Sequence, residues 1–160
     1  MIRKPKVLFF STGDSTRSQM AKGFLEAFAG DKLTAVSAAV QSPDRDPLTV
    51  EVMKEVGIDI SEQHSEDIAQ SLKEHFAFVI TVCDASRERF PVWPFTRNLF
   101  HWSLPDPTAV KGSPEELKTS FRRVRTKSGR KCGNSQARKS KGYRRKRLPQ
   151  ARSPKPRGCA

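Results

Sequence analysis

An α/β fold with a four-stranded parallel sheet flanked by helices is what this sequence of 160 residues predicts. Three observations carry the prediction. The apolar runs at residues 6–10 and 77–83 are almost free of charge, as parallel strands buried on both faces are. Segments with apolar residues at helical spacing alternate with such runs, and this alternation belongs to parallel sheets with right-handed crossovers. Ser11, Cys83 and Asp106 each follow the end of a strand segment, and open α/β sheets bind ligands outside the carboxyl ends of their strands.

The elements follow in order. Residues 6–10 form the first strand, and a helix starts near Ser18, with Met20, Ala21, Phe24, Leu25 and Phe28 on one face and Gly30 at its end. Residues 33–40 read as the second strand. Leu48, Val52 and Val56 repeat every four residues, and Gly57 is placed as the left-handed residue that closes that helix. A short third helix is expected over 65–72, a central strand over 77–83 and a fourth strand over 98–102. Ser113-Pro114-Glu115-Glu116 is a capping box with proline at the first helical position, and Leu117, Phe121 and Val124 give the last helix its inward face.

Residues 11–18 read Ser-Thr-Gly-Asp-Ser-Thr-Arg-Ser between the first strand and the first helix. Backbone N–H groups converge in such a loop, the helix N-terminus adds partial positive charge, and Arg17 can clamp an anion with two parallel hydrogen bonds. Thr12, Gly13, Asp14, Ser15, Thr16, Arg17 and Ser18 are therefore the expected oxyanion-binding residues. Ser11 occupies the position of a nucleophile, but an alcohol ionises far above neutral pH and the loop holds no base beside it. Ser18 also suits an N-cap. Asp14 puts a carboxylate into an anion site. Cys83 ends an apolar strand and reads as a buried thiol, with a redox role as the alternative. Asp106, between two prolines, suits a plain turn. His64 and Ser65 read as a helix-start contact, Trp93 and Trp102 as packing, and Lys22 with Glu26 as an i,i+4 pair.

The stretch from Ser11 to Ala21 resembles the Cys-Thr-Gly-Asn-Ser-Cys-Arg-Ser-Gln-Met-Ala loop of the thioredoxin-coupled arsenate reductases, within the low-molecular-weight protein tyrosine phosphatase fold. The resemblance continues through residues 50–61, 79–84, 101–102 and 105–107, and ends near 121–125. It implies a catalytic set of Ser11 (at the nucleophile position), Arg17, Cys83 and Asp106, the last matching the general acid. It also implies arsenate, phosphate or a phosphorylated small ligand as the bound species. No bound cofactor is implied; thioredoxin is the reductant of active members. The departures fall on the chemistry. The family's nucleophilic Cys falls on Ser11, its other loop Cys on Thr16, and a relay Cys on Phe90, while the loop Asn is Asp14 and an acidic residue is Lys22. A thiolate can be prepared by a helix N-terminus and a neighbouring Arg, whereas a disulfide relay needs thiols that this chain lacks. The expected protein thus keeps the fold and part of the oxyanion site with impaired catalysis. The alternative is a noncatalytic oxyanion- or phospholigand-binding protein.

Residues 1–125 carry 17 Lys+Arg against 17 Asp+Glu, so the domain is formally neutral. Residues 126–160 carry 13 Lys+Arg and no acid, which accounts for the whole net charge of +13. With several glycines, prolines and serines and few apolar residues, this segment is expected to be a disordered basic tail following a domain of residues 1–125. The helical periodicity stops after Arg125 abruptly enough to point to a change of coding frame, which resequencing the gene tests. Arg144-Arg145-Lys146-Arg147 could bind nucleic acid nonspecifically. The three cysteines form no disulfide framework, and no histidine stands at metal-ligand spacing from them. Four apolar residues after the first basic ones are too few for a signal-peptide core, and no run approaches a membrane span. A cytoplasmic setting is expected.

Overall fold

In the computed structural model, residues 3–12, 16–40, 46–84, 96 and 98–139 are described. The elements are β1 (Lys6–Ser11), α1 (Thr16–Ala29), β2 (Thr34–Ala39), α2 (Pro47–Lys54), β3 (Glu66–Asp67), α3 (Ile68–Ser71), β4 (Phe78–Thr81) and β5 (Leu99–His101). A 3₁₀ turn over Pro107–Ala109 and a last helix, α4 (Pro114–Lys139), complete the fold. The sheet order is β3-β2-β1-β4-β5, and every pairing is parallel.

The sheet has five strands rather than the expected four. The extra one comes from the segment expected to be entirely helical. Glu66 and Asp67 pair with Ala38 and Ala39 at the sheet edge, and Asp67 then caps the single turn of α3 by accepting from the Ala69 N–H at 2.8 Å. A strand of two acidic residues at an edge carries no apolar alternation for a sequence to display.

β1 alternates its side chains between two buried layers. Val7 and Phe9 face α1, α2 and α4, packing with Met20, Phe24, Met53, Phe121 and Val124. Leu8 and Phe10 point the other way, to Val36, Phe76 and Val79. Each such side chain, fully buried, contributes about 1.5–3 kcal/mol. Trp102 is buried against Phe9 with ring centroids 5.5 Å apart, the packing role expected of it. Gly57 has φ +78°, and the N–H groups of Gly57 and Ile58 close α2 on the carbonyls of Lys54 and Met53. Val56, however, lies beyond the end of α2 and is exposed, so Met53 rather than Val56 completes its buried face. The capping box forms: Ser113 N–H donates to Glu116 Oε2 at 3.0 Å, and Glu116 N–H to Ser113 Oγ at 3.3 Å.

α4 does not stop near Arg125. It runs to Lys139, so the domain boundary expected at residue 125 falls inside a helix. Ser128 and Cys132 are fully buried, and Gly129 lies so close to α1 that a Cβ there would sit 3.1 Å from the Phe24 ring. Cys132 Sγ donates to the Ala21 carbonyl at 3.6 Å. Small residues carry this contact, so the inward face survives without large apolar side chains. On the outside, Glu55 of the α2 C-cap takes a two-pronged hydrogen bond from Arg122 (2.9 and 2.8 Å) and a third bond from Arg125 at 2.7 Å, while Lys118 pairs with Glu51. Residues 140–160, on which most of the expected tail falls, lie outside the described residues.

Candidate functional site

The carboxyl edge of the sheet gathers the groups singled out in the sequence. β1 ends at Ser11, which is fully buried, and α1 begins at Thr16. Gly13, Asp14 and Ser15 lie outside the described residues. The first turn of α1 contains no acidic residue, so its N-terminal N–H groups keep their partial positive charge uncompensated from within the helix.

Ser18 is not the N-cap. The helix starts two residues earlier, which puts Ser18 inside the first turn, where its Oγ accepts from Ser37 Oγ at 2.8 Å. Ser37 Oγ is also 2.8 Å from Ser65 Oγ, and Thr49 Oγ1 donates to Thr16 Oγ1 at 3.3 Å. These buried hydroxyls tie the start of α1 to β2, to the segment before β3 and to α2. Ser65 therefore serves this chain of hydroxyls rather than a helix start, and His64 is exposed.

Arg17 is 8% exposed. Its Nη1 donates to the Leu104 carbonyl at 3.2 Å, while Nε is buried with no hydrogen-bond partner among the described residues. A buried N–H left unpaired is costly, and an anion is the partner that would satisfy it best. Cys83 Sγ lies 3.4 Å from both the N and the Oγ1 of Thr12, so the buried thiol touches the residue next to Ser11.

Asp84 accepts from Ser103 Oγ at 2.9 Å and lies 3.0 Å from His101 Nε2, while His101 Nδ1 is 2.7 Å from Thr81 Oγ1. The bonds from His101 and Ser103, aided by the charges of His101 and Arg17, hold the Asp84 carboxyl below its ordinary value. Sequence reasoning missed this network; its only signal was that Asp84 and His101 both stand at strand ends. Asp106 is exposed and caps the 3₁₀ turn, accepting from Thr108 N at 2.9 Å and Thr108 Oγ1 at 2.7 Å. It lies two residues beyond Leu104, the partner of Arg17. Phe90 and Trp93 lie outside the described residues. Lys22 and Glu26 form the expected pair at 3.9 Å. Among the described residues no cluster of His, Cys, Asp or Glu could hold a metal ion, and no helix is long and apolar enough to cross a membrane.

Residues 6–141 match the low molecular weight phosphotyrosine protein phosphatase family. The chain belongs to this family. Its match extends past Arg125, in keeping with the long α4. Within the low molecular weight phosphatase family, the chain is similar to the arsenate reductase of Halalkalibacterium halodurans, at 38% identity over 81% of this chain and 94% of that protein. It is also similar to that of Bacillus subtilis, at 37% identity over 77% and 88% of the two chains. Among solved structures, an arsenate reductase in a phosphate-binding state superposes with a TM-score of 0.70, at 30% identity over 84% of this chain and 98% of that one.

Proposed function

We propose that this chain is an arsenate reductase-like member of the family that binds arsenate- or phosphate-type oxyanions between Ser11 and Ser18, and that its catalysis is impaired. Arsenate reduction in the service of arsenic detoxification is the family role from which it departs. One observation carries the binding half of this reading: the guanidinium of Arg17 is buried at the start of α1 with its Nε unpartnered. The phosphate-binding state of a similar arsenate reductase supports it.

The catalytic half rests on residue identity. In an intact member a thiolate attacks the central atom of the oxyanion, an acid at the position of Asp106 assists the leaving group, and a thiol relay reduced by thioredoxin resets the enzyme. Here Ser11 stands at the nucleophile position and Phe90 at a relay position, which leaves Cys83 alone of the three. An unassisted serine at a helix N-terminus is not deprotonated near neutral pH as a thiol there is. The same loss favours the second reading, a noncatalytic binder of oxyanions or phosphorylated ligands. Either reading places the chain in a reducing, cytoplasmic setting, where Cys83 and Cys132 remain free thiols.

Thermal melting with and without millimolar arsenate, phosphate and sulfate tests the binding. A ligand at about a hundredfold its dissociation constant adds about 2.7 kcal/mol and raises the midpoint visibly. A cooperative melt that none of the three shifts overturns the reading. Ser11→Cys tests the lesion: the variant is expected to gain aryl-phosphate hydrolysis, and a folded, inactive variant shows that Ser11 is not what limits catalysis.

A further inference from the structure

A cleft of about 450 Å³ opens between α4 and the 102–104 segment that follows β5. Lys127, Arg130, Lys131 and Asn134 form its helical wall, and among the described residues no acidic one lines it. Their spacing of three and four residues sets them on one face of α4. The other face of the same turns, with Val124, Ser128 and Cys132, is buried in the core.

Two of the charges in this cleft, those of Lys127 and Arg130, are available. Of the basic residues of the first half of α4, Lys118, Arg122 and Arg125 are engaged with Glu51 and Glu55. Lys127 and Arg130 have no ion-pair partner among the described residues, and both are exposed. Packing of Gly129 on Phe24 and of Cys132 on Ala21 makes α4 antiparallel to α1, so this basic half approaches the N-terminus of α1. The opposite wall is shared with the candidate site, because Leu104 lines the cleft and its carbonyl holds Arg17.

We propose that this cleft binds a small ligand carrying several phosphate groups. Three cations within two helical turns suit a compact multiple anion, and the volume falls in the range of small-molecule sites rather than of extended tracks. The side-chain amide of Asn134 adds a donor. This site is separate from the loop after Ser11, and it does not depend on how that loop is read.

The test is calorimetric titration of the full chain with inorganic tripolyphosphate at about 0.15 M salt, where distant surface charge is largely screened. The variant K127Q/R130Q/K131Q is expected to bind at least about tenfold more weakly. A control, R144Q/R145Q/K146Q/R147Q, is expected to change the affinity by less than about twofold. The three cleft side chains are exposed, so the melting midpoint of the first variant and its shift by orthophosphate should be retained. That retention separates failure of the cleft from failure of the Arg17 loop. Absence of tripolyphosphate binding, equal affinity in the first variant, or an equal loss in the control overturns the proposal. So does a single-stranded oligonucleotide that depends on the three residues when tripolyphosphate does not, which would assign the cleft to nucleic acid.

Discussion

Arg17 Nε and Ser128 Oγ are buried polar atoms without partners among the described residues, and they have opposite meanings. Arg17 sits at the start of α1, where the proposed oxyanion would give its Nε–H a partner. Ser128 sits inside α4 against the core with nothing to receive its hydroxyl. A buried hydroxyl left unpaired costs about 1–3 kcal/mol, and serine is also a weaker helix former than alanine by about 0.5 kcal/mol. Ser128→Ala is therefore expected to stabilise the protein by about 1 kcal/mol or more. Urea denaturation measures it, and a destabilised variant would mean that the hydroxyl has a partner. Cys132, one turn on, is a thiol that burial pushes up to about 12, so it stays protonated and serves as packing.

At the scale of the element, α4 is held to α1 by the absence of side chains. Gly129→Val would drive a Cβ to 3.1 Å from the ring of Phe24, and overpacking of this kind costs about 1–3 kcal/mol. Four residues on, a Cβ at Gly133 meets nothing within 4 Å, so Gly133→Ala is expected to stabilise by about 0.8–1 kcal/mol through helix propensity alone. Opposite signs for two glycines one turn apart, read from paired denaturation curves, would establish which face of α4 meets α1; equal signs would displace that face. The same contact explains what the sequence could and could not reveal. Gly57 and the Ser113–Glu116 box announce themselves, because a left-handed turn and a reciprocal cap demand particular residue types. The run past Arg125 does not, because Ser128, Gly129 and Cys132 bury themselves without adding large apolar residues to the pattern. The strand-helix junction that carries Arg17 is legible, because an apolar run passes directly into a segment of helical spacing. The chain of Ser18, Ser37 and Ser65 was not, since it joins residues far apart in sequence through hydroxyls that any loop or cap could use.

At the scale of the whole molecule, stability depends on α4 closing over α1 and α2. Hydrogen bonds from Arg122 and Arg125 hold Glu55 at about 2, below its ordinary 4.5. A depressed folded value means that the contribution is fully present above pH 4.5 and is lost as the pH falls towards 2. Asp84 is shifted in the same direction, so the melting midpoint should fall across this acid window, and Glu55→Gln should flatten the fall. The decisive question is where the folding unit ends. A chain cut after Arg125 keeps the Glu55 clamp but strips Gly129 and Cys132 from Phe24 and Ala21. It exposes apolar surface worth several kcal/mol, which corresponds to a drop on the order of 10 °C in midpoint or loss of the cooperative melt. A chain cut after Lys139 keeps every described contact and is expected to melt with the full-length protein. If the shorter chain instead melts unchanged, the folding unit ends at Arg125 and the turns beyond it contribute nothing. If the longer one fails, residues 140–160 belong to the fold.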